Sequence, residues 1–201
     1  MSQADAARTL PLSHWQPPFR VRSAQQKDLE PIVAVLLSSF YPQAKATQWL
    51  YWLMRLGIKE DIKTRLKTPA SQYVCLVATT VDAESAQSTD VIGTAEISQR
   101  PCEAWRLLPP KRAYVSNLAI GLAYRRQGVA HQLLQASEKI ALSWGFRRVH
   151  LHVMADNPAA RALYAQAGYQ ERAISNPVLS GLGIRPKRLL LSKRITQTNR
   201  D

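Results

Sequence analysis

The chain has 201 residues, 46% of them apolar and 20% charged, enough hydrophobic mass for one domain with a core, which excludes disordered, collagen-like and fibrous readings. Taking 14 acidic from 27 basic side chains leaves +13, a field that favours phosphates, acidic surfaces or nucleic acid without choosing among them. No stretch reaches the roughly 18 consecutive apolar residues of a membrane span, and Cys75 and Cys102 are too few for a disulfide framework or a zinc site, so a soluble, metal-free protein of a reducing compartment is expected.

Residues 1–18, with Pro17 and Pro18 at their end, read as a flexible lead-in, and a domain is expected over 19–196 followed by a short tail, 197–201. A strand at Phe19–Arg22 leads to Leu29, Ile32, Val33, Leu36, Leu37 and Phe40, one helical stripe with Asp28 placed as its N-cap. Trp49, Leu50, Trp52, Leu53 and Leu56 repeat the pattern up to Gly57, with both tryptophans assigned to the core; Ile58, Ile62 and Leu66 either extend that helix or form another. Gln72–Val81 and Asp90–Ser98, rich in Val, Ile and Thr, are expected to pair antiparallel across the polar connection 82–89. Pro101, Pro109 and Pro110 mark Gln99–Arg112 as a loop.

Ala113–Ile120 reads as a strand, and Gly121–Tyr124 as a turn into a helix whose stripe is Val129, Leu133, Ala136, Ile140 and Trp144, ended by Gly145. Arg147–Met154 is a strand. Asn157 and Pro158 form an N-cap and first-turn pair for a helix running to Gly168, and Leu189–Ile195 gives a last strand after an irregular Ser, Gly and Pro stretch. The order β-α-α-β-β-β-α-β-α-β predicts an α+β, or mixed α/β, domain: a central mixed sheet flanked by helices.

The most informative residues are Arg125, Arg126, Gln127, Gly128, Val129 and Ala130, where a strand gives way to a helix. The first amides of a helix lack internal partners and sit at the positive end of its dipole, so they suit a diphosphate; Gly128 and Ala130 keep side chains small, and Arg125 and Arg126 can add charge-assisted contacts. The alternative for this turn is an ordinary solvated basic helix start. Neither G-x-G-x-x-G nor G-x-x-x-x-G-K-[ST] occurs, which argues against dinucleotide binding and nucleotide hydrolysis.

The block Tyr114–Tyr169 resembles the Gcn5-related N-acetyltransferase (GNAT) superfamily. R-R-Q-G-V-A at Arg125–Ala130 matches that family's [QR]-x-x-G-x-[GA] turn, and Asn157 through Tyr164 with Ala167-Gly168-Tyr169 matches its N-x-x-A-x-x-L-Y-x-x-x-G-[FY] helix at full spacing. The resemblance implies a twisted sheet whose middle strands splay apart around acetyl-coenzyme A. Leu118, Ala119 and Ile120 would then offer backbone to the pantetheine arm, and residues 125–130 would hold the diphosphate. Asn157 and Tyr164 complete the cofactor set, Asn157 having an equally good account as a helix cap.

Acetyl transfer needs a neutral amine, and a lysine starting near pKa 10.4 is largely protonated at neutral pH, so a base is required. The resemblance makes Tyr164 the acid at the leaving sulfur, with packing of an aromatic ring as its alternative. Y-V-S-N-L-A and L-H-V resemble one N-terminal acetyltransferase branch, which nominates Tyr114 and His152 as bases acting through water; Glu96 occupies a strand where other relatives carry a carboxylate base, though pairing with an arginine would explain it too. His150 shares a sheet face with His152 by strand alternation, so either could be a satisfied strand histidine. His14 and His131 have no suggestive neighbours.

The matching blocks are closest to ribosomal-protein and plastid or cyanobacterial protein acetyltransferases, which implies a peptide or protein amine as acceptor, in the cytoplasm or alternatively the plastid stroma, with ribosome association open. The acceptor pocket is expected among the first helices, the proline-bearing loop and the hairpin Ser175–Lys187. The net charge repels polyamines and draws acidic peptides. A small-amine or aminoglycoside acetyltransferase, and a non-catalytic basic RNA- or ribosome-binding module on the same scaffold, remain as other readings, although no RNA-recognition motif is present.

Overall fold

The computed structural model describes residues 19–40, 48–81, 88–101, 110–175 and 187–196. The lead-in, most of the connection 82–89, the stretch 102–109, the body of the hairpin after Ser175, the tail and the side chain of Trp49 lie outside the described residues. The elements run β1 (Phe19–Ser23), α1 (Leu29–Phe40), α2 (Gln48–Arg65), β2 (Tyr73–Val81), β3 (Ser88–Pro101), β4 (Lys111–Ile120), α3 (Val129–Ser143), β5 (Arg148–Met154), α4 (Pro158–Gln166), β6 (Gln170–Ser175) and β7 (Arg188–Arg194). They form one mixed sheet in the order β1-β2-β3-β4-β5-β7-β6, the expected architecture with one strand more.

Alternation along β2 builds the layers. Tyr73, Cys75 and Val77 pack with Ile32, Val33, Leu36 and Leu37 of α1 on one face, while Leu76 and Ala78 meet Val129 and Leu133 of α3 on the other. A strand buried on both faces reads as a continuous apolar run, as β2 does. A third cluster joins Val115, Val149 and Leu151 of the sheet to Leu134 and Ala141 of α3 and Tyr164 of α4. Helices α3 and α4 therefore share a face, and α1 and α2 take the opposite one.

Four expectations need correction. Asp28 does not cap α1: it ends a 3-10 turn, Gln26–Asp28, accepts from the Gln25 amide at 2.7 Å and is gripped by Arg22 at 2.6 and 2.8 Å, clasping β1 to the start of α1. Trp52 is not core but 65% exposed. Tyr51, Met54, Ile58 and Leu66 pack inward with buried Ile62, so the stripe facing the sheet is one turn-position away from the aromatic one, and α2 passes uninterrupted through Gly57. The proline segment is strand at both ends: Gln99, Arg100 and Pro101 pair with Ala113, Arg112 and Lys111, Pro101 being tolerated as a terminal strand residue. Finally, β6 pairs antiparallel with β7 at the sheet edge; Gln-Glu-Arg-Ala-Ile-Ser carries too few β-branched residues to announce it.

Candidate functional site

The seam between β4 and β5 is the only parallel pairing between described strands, and it is short. Ala113, Tyr114 and Val115 face Val149, His150 and Leu151, and beyond them the strands part. Across the other edge of β4 the register with β3 slips, from Glu96↔Ser116 to Thr94↔Ala119, so Asn117 and Leu118 are accommodated by a bulge, with Asn117 at φ 51. A bulge bends its strand, which here opens a wedge bordered by Leu118, Ala119 and Ile120. The Ile120 carbonyl already accepts from Ser39 Oγ at 3.3 Å and Arg125 Nε at 3.2 Å, so that oxygen is engaged rather than open for a new strand partner.

The turn after β4 ends in a run of left-handed residues. Arg126 has φ 64 and Gly128, the N-cap of α3, has φ 83. A Cβ on Gly128 would meet nothing within 4 Å, so in the protein alone the residue is required by its backbone angle rather than by crowding. Gly128 caps with no side chain, leaving the first amides of α3 unspent, and alternating backbone conformations of this kind form an anion-binding concavity. Gln127 Nε2 donates to the Ala123 carbonyl at 3.0 Å and Arg125 is tied back to β4, so these two side chains brace the turn while exposed Arg126 is its outward cation. The donors fit a ligand with several phosphate oxygens. Behind the wedge, a Cβ on Gly93 of β3 would stand 2.7 Å from Ile120 Cδ1 and 3.2 Å from Val129 Cγ1; the end of β4 and the start of α3 both rest on that bare backbone.

Tyr114 and His152 are brought together, Oη to Nδ1 at 2.6 Å. Burial, then Arg188, Arg112, Arg100 and His150, push His152 down to about 4, so its ring is neutral at neutral pH. Arg100 lies over the Tyr114 ring, 4.0 Å from its centre. Tyr164, on α4, packs edge-on against Tyr169 at 5.9 Å between ring centres; burial, with a smaller contribution from Tyr114, pushes its phenol up to about 12. Glu96 stands apart: 1% exposed, it takes Arg65 Nη1 at 2.8 Å and Asn117 Nδ2 at 2.9 Å, one on each oxygen, and so locks the end of α2 to the bulge. Asn157 Oδ1 accepts from the Ala160 amide at 2.9 Å, capping α4.

Sequence reasoning missed Asn117, whose φ carries the bulge, and Arg100 and Arg112, which were assigned to a loop. The signal available was the period-two run Arg148, His150, His152, which marks one face of β5 as polar.

The model of the acetyltransferase (GNAT) family matches residues 35–169. "GCN5-related N-acetyltransferase 10, chloroplastic" of Arabidopsis thaliana is 29% identical over 184 residues, 88% of this chain and 72% of its own length. Among solved structures, a PaiA N-acetyltransferase from Thermoplasma acidophilum in complex with coenzyme A superposes with a TM-score of 0.64 at 18% identity, covering 88% of this chain and 99% of that one. The ribosomal-protein-S18-alanine N-acetyltransferase from Escherichia coli gives 0.59 at 17% identity, over 91% and 97%.

Proposed function

The chain belongs to the acetyltransferase (GNAT) family, an acetyl-CoA-dependent N-acetyltransferase, and from that premise we propose that its acceptor is a peptide or protein amine, an N-terminal α-amine or a lysine. The observation that carries the transferase chemistry is the wedge: a β4–β5 seam closed over three residue pairs and open beyond them, ending in the left-handed turn at α3. The amides at the start of α3 and Arg126 would hold the diphosphate, and the backbone of Leu118 and Ala119 would line the arm. Acetyl-CoA supplies the activated acyl group and a thiol leaving group. Asn157 shapes this end of the site by fixing α4.

Tyr164 keeps its proton at neutral pH, so it serves the departing sulfur as a hydrogen-bond donor; full transfer from a phenol near 12 to a thiolate whose own pKa is about 8.5 is uphill. On the acceptor side, neutral His152 takes a hydrogen bond from Tyr114 and polarises the phenol oxygen toward the incoming ammonium. Glu96, with both oxygens engaged, acts as the brace of the bulge rather than as the base. The PaiA and S18-alanine enzymes share this fold, and the name of the latter is consistent with a peptide acceptor.

The test is thiol release from acetyl-CoA by the full chain with free-amine peptides, the same peptides blocked at the α-amine but carrying lysine, polyamines and aminoglycosides. Release with peptides supports the reading. Release with polyamines or aminoglycosides alone reassigns the acceptor, and a chain that binds acetyl-CoA but acetylates nothing is a binding module.

A further inference from the structure

Six described cations are matched to carboxylates: Arg22 with Asp28, Arg55 and Lys59 with Glu30, Lys63 with Glu60, Arg65 with Asp61 and Glu96, Lys193 with Glu138. Among the described cations outside those pairs, five arginines gather around the candidate site. On the face of the sheet that carries Tyr114 and His152, cross-strand neighbours bring Arg100 beside Arg112, and Arg148, Arg188 and Arg172 follow on β5, β7 and β6. The charges of Arg188, Arg112 and Arg100 act on His152, and those of Arg112, Arg148 and Arg172 on His150, which places all five around the two histidines. Among the described residues, no salt bridge reaches any of the five.

What they do bond is neutral. Arg100 donates to Ser98 Oγ and Ser116 Oγ, each at 3.3 Å, and Arg172 to Ser192 Oγ at 3.0 Å. Arg112 Nε is enclosed without a partner, as is His150 Nδ1. Burial holds the Arg100 guanidinium below the ordinary arginine range, yet arginine stays charged in proteins. Arg100 and Arg112 are half-buried whereas Arg148, Arg172 and Arg188 are exposed; a half-buried guanidinium with an unspent N–H, as at Arg112, is costly unless something completes it, and the exposed three add to the field. Glu96, whose charge also acts on Arg100, takes its hydrogen bonds from Arg65 and Asn117 rather than from any of the five.

We propose that this arginine-lined face binds an oxyanion carried by the acceptor within a residue or two of its reacting amine, so that the preferred acceptor is an acidic peptide end. The proposal rests on the peptide-acceptor reading above and names its specificity. Arginine forks suit carboxylate and phosphate alike, and both are within the chemistry claimed. The anion also has an effect beyond affinity. Negative charge set among Arg100, Arg112 and Arg188 offsets the field that suppresses protonation of His152, so an acidic acceptor restores the basicity of the histidine that must help deprotonate it.

The experiment compares peptides with Asp, Glu or phosphoserine at the second position with Asn, Gln and Ser counterparts, using the full chain, in transfer and in direct titration with α-acetylated versions that cannot react. A preference of about tenfold or more in kcat/KM for the acidic peptides is expected, weakened by added salt. Arg112→Gln and Arg188→Gln, checked for folding by thermal melt, should bring the ratio close to one: the acidic peptides lose their added affinity, while relief of the field on His152 leaves the neutral rates equal or raised. The phosphoserine arm separates phosphate from carboxylate as the favoured oxyanion. Equal rates on acidic and neutral peptides would overturn the proposal while leaving peptide acetylation standing. A chain that transfers to no peptide still answers through the titrations: salt-sensitive binding of acidic peptides, lost in the two variants, supports the anion site, and no such binding refutes it.

Discussion

The two halves of the wedge are made of different materials. On the proposed donor side the groups belong to the main chain: a bulged strand end, two left-handed residues and the first amides of α3. On the acceptor side they are side chains, Tyr114 against His152 with arginines around them. Backbone groups cannot be exchanged by mutation and are set by local angles, so in the proposed site the donor half would read one diphosphate-bearing cofactor. Side chains can be exchanged one at a time, so in the proposed site the acceptor half would set specificity.

The sharpest blow to that division falls where the halves meet. Tyr164→Phe removes one oxygen from a buried ring and is expected to lower kcat about a hundredfold with little change in the acetyl-CoA dissociation constant, measured by steady-state kinetics beside calorimetry. A fall in affinity instead would move Tyr164 into the binding apparatus. Next, Gly128→Val forces a β-branched residue to φ 83 and should weaken cofactor binding by about tenfold, since such strain costs on the order of 1–3 kcal/mol. Gly128→Asn, which tolerates the left-handed region, should lose less. If both variants bind equally poorly, space rather than backbone angle governs the turn.

His152 tests the acceptor half through pH. An unfolded imidazole takes up a proton as pH falls through 6.5, whereas the folded one does so only near 4, so the folded state loses stability as pH drops across that window and is unaffected above it. The melting-temperature difference between wild type and His152→Gln should hold constant above pH 6.5 and shift against the wild type as pH falls from 6.5 to 4; curves parallel across that window would deny the suppressed titration. The mildest effect expected is from Arg126→Ala. An exposed arginine adds about 0.2–1 kcal/mol, so cofactor affinity should fall only about twofold to fivefold, and less at high salt. A larger loss would mean that the donor half depends on side chains after all.

The same division explains what the sequence could tell. The donor half is legible because angles such as φ 83 at Gly128 select particular residues at fixed spacing, and Asn157-Pro158 announces the start of α4 for the same local reason. The acceptor half depends on register. Arg100 meets Arg112 only because β3 continues to Pro101, and three prolines within twelve residues pointed to a loop. Glu96 looked equally like a base or a partner until Arg65, 31 positions earlier, arrived from the end of α2. In α2 itself a run with tryptophans at two positions outweighed the weaker stripe of Tyr51, Met54, Ile58 and Ile62 that faces the core. The stripe read from Trp52, Leu53 and Leu56 is the exposed one.

Gly93 touches both ends of the donor half. With Ile120 on one side of its empty Cβ position and Val129 on the other, the strand seat and the helix seat lean on a common bearing and cannot be shifted independently. The interval between them is therefore a fixed gauge for the length of the cofactor. A donor whose arm is shortened by a methylene should sit well in one seat only by slipping from the other.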